Sequence, residues 1–563
     1  MLGFSLAVCY KLDTNSFSIN QQYSMKPIDD RYDIDLADLI ARILSHLQKD
    51  ADTLTQDFVR QYYAKMPVME LQRLDPQEAC QIALNSLPYF RSKTDRVQIR
   101  SFSPSKVEQG WDGHYLSIEV HNDDHAFILD SLRAEFIRQG FDFVNIIHPV
   151  FFLKRNKQGE LLSFVDINET GDLPTGARAE SFIHFQLAGI PGSVDEAQLK
   201  TDLLGVLGAV ELVVDDFAAL DKKCEESIKE VIKCSGPFDA EETEEVKSFL
   251  HWLRDKHYVF LGYMEYDYGD DGFRIVDGSQ LGILRLQDEA MRPRALGDIP
   301  QRLIEQNSEP ELIEITKSNR RSVVHRPVLM DYITIKRYDA KGNITGERRF
   351  LGMFTSMVYY QSADRIPFIR RKIARTLARA NYDPMSHNGK ALKAILEFYP
   401  RDELFQISQE QLFHFSITLM ALEAKPDVRL LARIDRYERF VSAMAFIPRD
   451  RFSSYLREQI IHILEAHYKG KIRDFYTQLT DSPLARLHLI IETTPGNLPQ
   501  VDLSEIESQI ARITNRWADA LRQALVDAYG REQAEALLPV YADAFPDAYI
   551  EQQEARHAAA DIA

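Results

Sequence analysis

One order of elements, strand, helix, strand, strand, helix, can be read twice along this chain, and few folds satisfy it. A strand with alternating apolar residues and a helix with one apolar stripe must each cover the other, which gives a two-layer ferredoxin-like sandwich. The first copy has strands at VQIRSF (Val97 to Phe102) and YLSIEV (Tyr115 to Val120), then a helix with Ile128, Leu132 and Phe136 on one face, closed by Gly140. Further strands follow at Phe143 to Arg155 and Ser181 to Ile190, with a long helix from Val194. The second copy has a strand at Arg439 to Pro448 and a helix at Ser453 to Tyr468 with Leu456, Ile460, Ile463 and Leu464 inward. Strands at IRDFYTQLT and RLHLIIETTP and a helix from Leu503 to Tyr529 complete it. The copies share pattern rather than letters, so the expected repeat is structural.

At 563 residues and 45% hydrophobic composition the chain is globular and too long for one core. Ile34 to Leu87 reads as helical, with Leu36, Leu39, Ile40, Ile43, Leu44 and Leu47 spaced three and four apart. Between the copies lie YVFLGYMEYDY, FRIVDG, LGILRL, SVVHRPVLMDYITIKRYD and ERRFLGMFTSMVYYQS. Turn signals at Gly269-Asp270-Asp271-Gly272 and from Asp339 to Gly342 make these hairpins of an antiparallel sheet. Helical material from Ile366 to Leu422 leads into the second copy. The expected class is α+β and multidomain: two ferredoxin-like units flanking a strand-rich unit, with helical linkers.

A net charge of −18 argues against nucleic-acid and anionic-membrane partners, which attract basic surfaces. Cys9, Cys80, Cys224 and Cys234 form no C-x-x-C pair, so neither a disulfide framework nor a zinc site is suggested and all four read as buried or incidental thiols. No apolar run reaches the ~18 residues of a membrane span, and the opening MLGFSLAVCYKLDTN lacks the basic start of a signal peptide. A cytoplasmic protein is expected.

The chain contains no G-x-G, no G-x-x-x-x-G-K-[ST], no H-E-x-x-H and no G-x-S-x-G, so no catalytic, cofactor-binding or metal-ligating residue is assigned. Four places invite a local reading. Asn122, Asp123, Asp124 and His125 stand at a strand-to-helix turn, where they serve either to cap the helix or to meet a small ligand. His387-Asn388-Gly389-Lys390 resembles a phosphate cradle without its glycine-rich loop, and reads better as a turn opening a helix near Lys390. Pro400-Arg401-Asp402-Glu403-Leu404 reads as the first turn of a helix, with Arg401 pairing to a nearby acid. The basic run Arg365, Arg370, Arg371, Lys372, Arg375 and Arg379 spans more than one helix face around an inward stripe of Ile366, Phe368, Ile369, Ile373 and Leu377. Such a run is either a solvated face or a contact with acidic neighbours.

The stretch Arg326 to Ser408 contains the phrases GMFTSMVYYQS, HNGKALKAILE and YPRDELFQ, in that order. It resembles the segment ahead of the catalytic domain in the large bacterial NAD-specific glutamate dehydrogenases, and the likeness extends from about Asp33 to the C-terminus. The resemblance implies a helical lead at 33–90 after a poorly matching stretch 1–32, an ACT-like domain at 91–235 and a PAS-type domain at 236–365. It further implies a helical linker at 366–425, a second ACT-like domain at 426–530 and the start of a further segment at 531–563. ACT-like domains often bind amino acids, which makes Asn122 to His125 a candidate effector contact, although the family usually has Met-Pro where this chain has His125-Ala126. The whole enzyme would use NAD to convert L-glutamate to 2-oxoglutarate and ammonia, with the dinucleotide domain outside this chain. The expected partners are a catalytic domain, further copies in a homo-oligomer and an amino-acid effector. The alternative is a catalytically silent, self-standing ligand-binding or scaffold protein made of the same ACT-like units.

Overall fold

The computed structural model describes residues 35–166, 173–188, 195–233, 238–269, 272–286, 311–480, 482–514, 517–542, 544–546, 549 and 553–562. The expectations for Cys9, Cys234, the poorly matching stretch 1–32 and the tip Asp270-Asp271 therefore lie outside the described residues; Cys80 and Cys224 are buried free thiols. The chain divides into one unit of Met1–Asp216 with Ser322–Val328, and a second of Phe217–Arg321 with Leu329–Ala563.

In the first unit four helices lead: α1 (Leu36–Leu44), α2 (Thr53–Tyr63), α3 (Val68–Leu71) and α4 (Pro76–Arg91). Asp35, Asp52 and Asp75 cap α1, α2 and α4 by accepting first-turn N–H groups, which is why those helices start where they do. There follow β1 (Gln98–Phe102), β2 (Leu116–Asp123), α5 (Ile128–Arg138), β3 (Asp142–Ile147), β4 (Val150–Arg155), β5 (Leu161–Phe164), β6 (Arg178–Ala188) and α6 (Glu196–Asp215). The sheet runs β1-β2-β6-β4-β5, with β3 also on β6, and every pairing is antiparallel. The single strand expected from Phe143 to Arg155 is broken at His148-Pro149, because proline has no N–H for the ladder. Ile128, Leu132 and Phe136 are buried as the stripe on α5 requires. The other sheet face packs on the lead helices, where Phe58, Phe90, Phe151 and Phe182 form one aromatic cluster.

The second unit begins with α7 (Phe217–Lys233) and α8 (Ala240–Trp252). A six-stranded antiparallel sheet follows: β7 (Tyr258–Gly269), β8 (Gly272–Ile275), β9 (Leu281–Gly282), β10 (Ile313–Arg321), β11 (Leu329–Tyr338) and β12 (Ile344–Phe354). Three strand readings are corrected here. LGILRL pairs only through Leu281–Gly282 and then turns into a 3-10 helix, since Gly282 takes a φ of +61°. Ser322–Val328 is not strand, and β11 starts only after Pro327. The strand within ERRFLGMFTSMVYYQS stops at Phe354, and Ser356–Tyr360 forms the short helix α9.

Helices α10 (Ile369–Ala380), α11 (His387–Phe398), α12 (Arg401–Gln406) and α13 (Gln409–Ala424) come next. The second sandwich comprises β13 (Arg429–Ile434), β14 (Phe440–Pro448), α14 (Ser454–Tyr468), β15 (Lys471–Leu479), β16 (Leu484–Glu492) and α15 (Leu503–Thr514). Its order β13-β14-β16-β15 repeats the β1-β2-β6-β3 pairing of the first sandwich, so the repeat extends to topology. The sequence reading lacked β13 and therefore began this copy one strand late. The helix expected from Leu503 to Tyr529 is described over α15 and α16 (Trp517–Tyr529), with residues 515–516 outside the described ones, and α17 (Arg531–Tyr541) and α18 (Ala555–Asp561) follow.

Helix α11 begins at His387, earlier than the turn reading placed it, because Ser386 caps it by accepting the Gly389 N–H at 3.0 Å. Gly389 is required by closeness rather than by a left-handed backbone: a Cβ there would lie 2.1 Å from the Asp383 carbonyl oxygen. Overpacking costs ~1–3 kcal/mol and the helical preference for alanine returns at most ~1 kcal/mol. Gly389→Ala should therefore lower the urea midpoint of unfolding; an unchanged or raised midpoint would contradict this packing.

Candidate functional site

The structure divides the four residues of the first strand-to-helix turn. Asn122 and Asp123 belong to β2. The buried Asn122 accepts the Asp123 N–H at 2.9 Å, and Asp123 is bound at 2.5 Å by the buried Lys93. Only Asp124, which is exposed, and His125, which is half-buried, lie in the turn itself. None of them caps α5: its N-cap is Phe127, with a φ of +74° and no side-chain bond, so the capping alternative is corrected. Phe127 meets His325, another non-glycine residue with positive φ, at a ring distance of 5.1 Å. The His325 N–H donates to Ser131 Oγ at 2.8 Å and its ring pairs with Asp130 at 3.0 Å, which lowers the Asp130 pKa. Two strained backbones in contact mark a position held by its surroundings.

Beneath this turn, the sheet face turned toward the lead helices is unusually polar. Glu119 accepts from Ser86 at 2.6 Å and from Arg100 at 2.5 Å. His184 bonds Tyr62 at 2.7 Å and Ser117 at 3.0 Å, and burial drives its pKa down to about 4. Glu180 takes Arg155 at 2.7 Å and His121 at 2.8 Å. Burial opposes the Glu180 charge, but the bonds from His121 and Arg155 and the Arg155 charge hold it at about 2.

The second sandwich repeats part of this layer. His488 on β16 bonds Ser442 on β14 at 2.8 Å, as His184 on β6 bonds Ser117 on β2. In both, the serine stands two residues before the one paired with histidine, Met444 here and Glu119 there. The acid has moved: Glu403 of α12, fully enclosed, accepts two hydrogen bonds from Arg433 of β13 at 2.7 and 2.8 Å. Burial opposes the Glu403 charge and Arg433 outweighs it, leaving the pKa at about 2.

Next to this pair is a cavity of about 390 Å³ lined by Lys372, Arg433, Arg436, Glu311, Glu314 and Asp435 among others. Its cations are occupied. Lys372 donates to the carbonyls of Leu404, Phe405 and Ile407 at 2.8 to 3.0 Å, closing the end of α12, and Arg436 clasps Glu311 at 2.6 and 2.7 Å. Other members of the basic run meet acids, Arg370 with Glu245 at 2.6 Å, Arg371 with Glu241 at 3.4 Å and Arg379 with Glu410 at 3.0 Å. The run is thus divided: Arg370, Arg371 and Arg379 contact acidic neighbours, Lys372 binds carbonyls, and Arg365 and Arg375 are exposed. Arg401 pairs with Glu397 at 2.9 Å, as its sequence context suggested.

Comparison with known proteins agrees with these units. The model of the glutamate dehydrogenase ACT1 domain matches residues 58–203 and that of the ACT2 domain residues 429–518. Helical motif 1 of the same enzymes matches 366–425 and helical motif 2 matches 524–563. NAD-specific glutamate dehydrogenases of Halomonas elongata and Pseudomonas aeruginosa are 32% and 30% identical over 94% and 92% of this chain. That of Mycobacterium tuberculosis is 28% identical over 79%. The chain belongs to the NAD-specific glutamate dehydrogenase family. It spans about a third of the length of these relatives, 33%, 32% and 27% respectively.

The ACT1 and ACT2 histidines escaped the sequence reading, although each interrupts an apolar strand, SFIHFQLAGI and RLHLIIE. Glu403 gave no local signal, because its partner Arg433 lies on a strand that was not recognised. No helix among the described residues is long and apolar enough to cross a membrane.

These groups set an acid limit. His184, neutral when folded, gains its proton more readily unfolded, so its contribution is complete above the ordinary value of 6.5 and is lost as pH falls through about 4. Glu180 and Glu403 contribute above the ordinary 4.5 and lose it as pH falls toward about 2. Each group accounts for up to about 3 kcal/mol. Urea midpoints should fall continuously below pH 6.5, and His184→Gln should flatten the upper part of that fall; midpoints level from pH 7 to 4 would refute the assignment.

Proposed function

We propose that this chain is the N-terminal regulatory and oligomer-building portion of an NAD-specific glutamate dehydrogenase. The whole enzyme converts L-glutamate, NAD and water to 2-oxoglutarate, ammonia and NADH. The observation that carries this reading is the run of ACT1, helical motif 1, ACT2 and helical motif 2 along a chain that contains no G-x-G turn. NAD and glutamate then belong to the catalytic part of the enzyme, and this portion acts by favouring one of two states. We read the strand-rich unit at 236–365 as PAS-type, supported by its six-stranded antiparallel sheet.

A homo-oligomer is the assembly we favour, since edge strand β15 of ACT2 exposes Phe475, Tyr476 and Leu479. In ACT1 the effector contact we assign within Asn122 to His125 is the pair Asp124 and His125, which lie in the turn, whereas Asn122 and Asp123 belong to β2.

Glutamate-dependent NADH formation, followed by absorbance, tests the reading. The purified chain should give none, and the product of the uninterrupted coding region should be active. Activity in this chain alone would overturn it.

A further inference from the structure

A second cavity in the second unit, of about 290 Å³, lies between helices α11 and α13 and strands β14 to β16 of ACT2. Its walls are mainly apolar, with Ile395, Phe398, Leu419, Phe446 and Leu484. Two polar groups break that surface in ways the fold does not explain.

The first is Arg486 of β16. Its guanidinium donates to the Phe398 carbonyl at 2.9 Å and to Gln478 Oε1, both neutral acceptors. Among the described residues no carboxylate lies within ion-pair distance, and no acid supports its charge: burial pulls its pKa down to about 10, opposed only by Tyr399. The buried arginines of the two polar sheet faces differ, Arg155 being paired with Glu180 and Arg433 with Glu403. Arg486 is half-buried, and a guanidinium partly withdrawn from water favours an anionic partner. The second group is Tyr399, 2% exposed, whose hydroxyl has no hydrogen-bond partner. Burial raises its pKa well above the usual phenol value, so it remains a donor.

We propose that this cavity binds a small monocarboxylate with an apolar aromatic or branched body, the carboxylate meeting Arg486 and the Tyr399 hydroxyl. A guanidinium presents a planar set of donors suited to a carboxylate, and an apolar cleft near 300 Å³ is at the lower end of small-molecule sites. The walls of Phe398 and Phe446 suit a ring. Glu423, at the same cavity, is an acceptor for an ammonium group, so an amino acid and a 2-oxo acid of the same body are the two sources of this chemistry.

Calorimetry on the whole chain with phenylpyruvate and L-phenylalanine, and benzylamine as the ligand without carboxylate, tests the site. At least one of the two carboxylates should bind saturably, and benzylamine should not. Arg486→Gln should weaken binding tenfold or more and Tyr399→Phe several-fold. Ala394 is exposed on α11 and lines the cavity, so Ala394→Phe should block it with the core left intact. If L-phenylalanine is the tighter ligand, Glu423→Gln should weaken it and leave phenylpyruvate unaffected, which identifies the amino acid as the source. No binding of either carboxylate, or binding unchanged by both Arg486→Gln and Ala394→Phe, would overturn the proposal. The readout requires no catalytic domain, so its failure would leave the regulatory reading standing.

Discussion

Burying a charged sheet face is the constraint on which both sandwiches depend. A ferredoxin-like sheet covers one face with its own helices, and the other must meet solvent or a partner. Here that second face carries Glu119, His121, Glu180 and His184 in ACT1, and Arg433, Ser442 and His488 in ACT2, and in both it is enclosed by helices from outside the sandwich. Fully enclosed charges in such a layer need partners, because an unpaired buried charge costs several kcal/mol. The Glu180–Arg155 and Glu403–Arg433 pairs meet that condition with bonds of 2.7 to 2.8 Å.

The pairs also decide which helices can dock. Glu403 lies on α12, so its pair with Arg433 joins ACT2 to helical motif 1, beside the Arg433–Gln406 and Arg486–Phe398 bonds and a shared apolar core. Lys372 then closes the carbonyl end of that short helix, and the arginines around it on α10 clasp acids of α8 and α13. A six-residue helix has little stability of its own and is held here by tertiary bonds at both ends. Four of the six cations of the basic run, Arg370, Arg371, Lys372 and Arg379, are in this way consumed in construction, and Arg486, with neutral partners only, stands apart from them.

Much of the fold was legible. The α5 stripe, the turn at Gly140, the helix from Ser453 to Tyr468 and the strands of both copies follow from periods of 3.6 and 2 that one buried face imposes. The failures have specific causes. Pro149 split one strand, Gly282 ended another, and β13 was missed although Pro426-Asp427 marks the end of the helix before it. The capping role of Asn122 to Asp124 failed because β2 continues through Asp123 and Phe127 takes the cap position instead.

The sequence by itself determined the family, the two sandwiches and the apolar face of the strands recognised in it, since periodicity and family phrases are local properties of the chain. Only the tertiary structure decided which charges are buried together. Glu403 and Arg433 are 30 residues apart, Glu180 and Arg155 are 25 apart, and no spacing rule joins them. The cavity at Arg486 was likewise invisible, because a missing counter-ion is a fact about neighbours in space rather than neighbours in the chain.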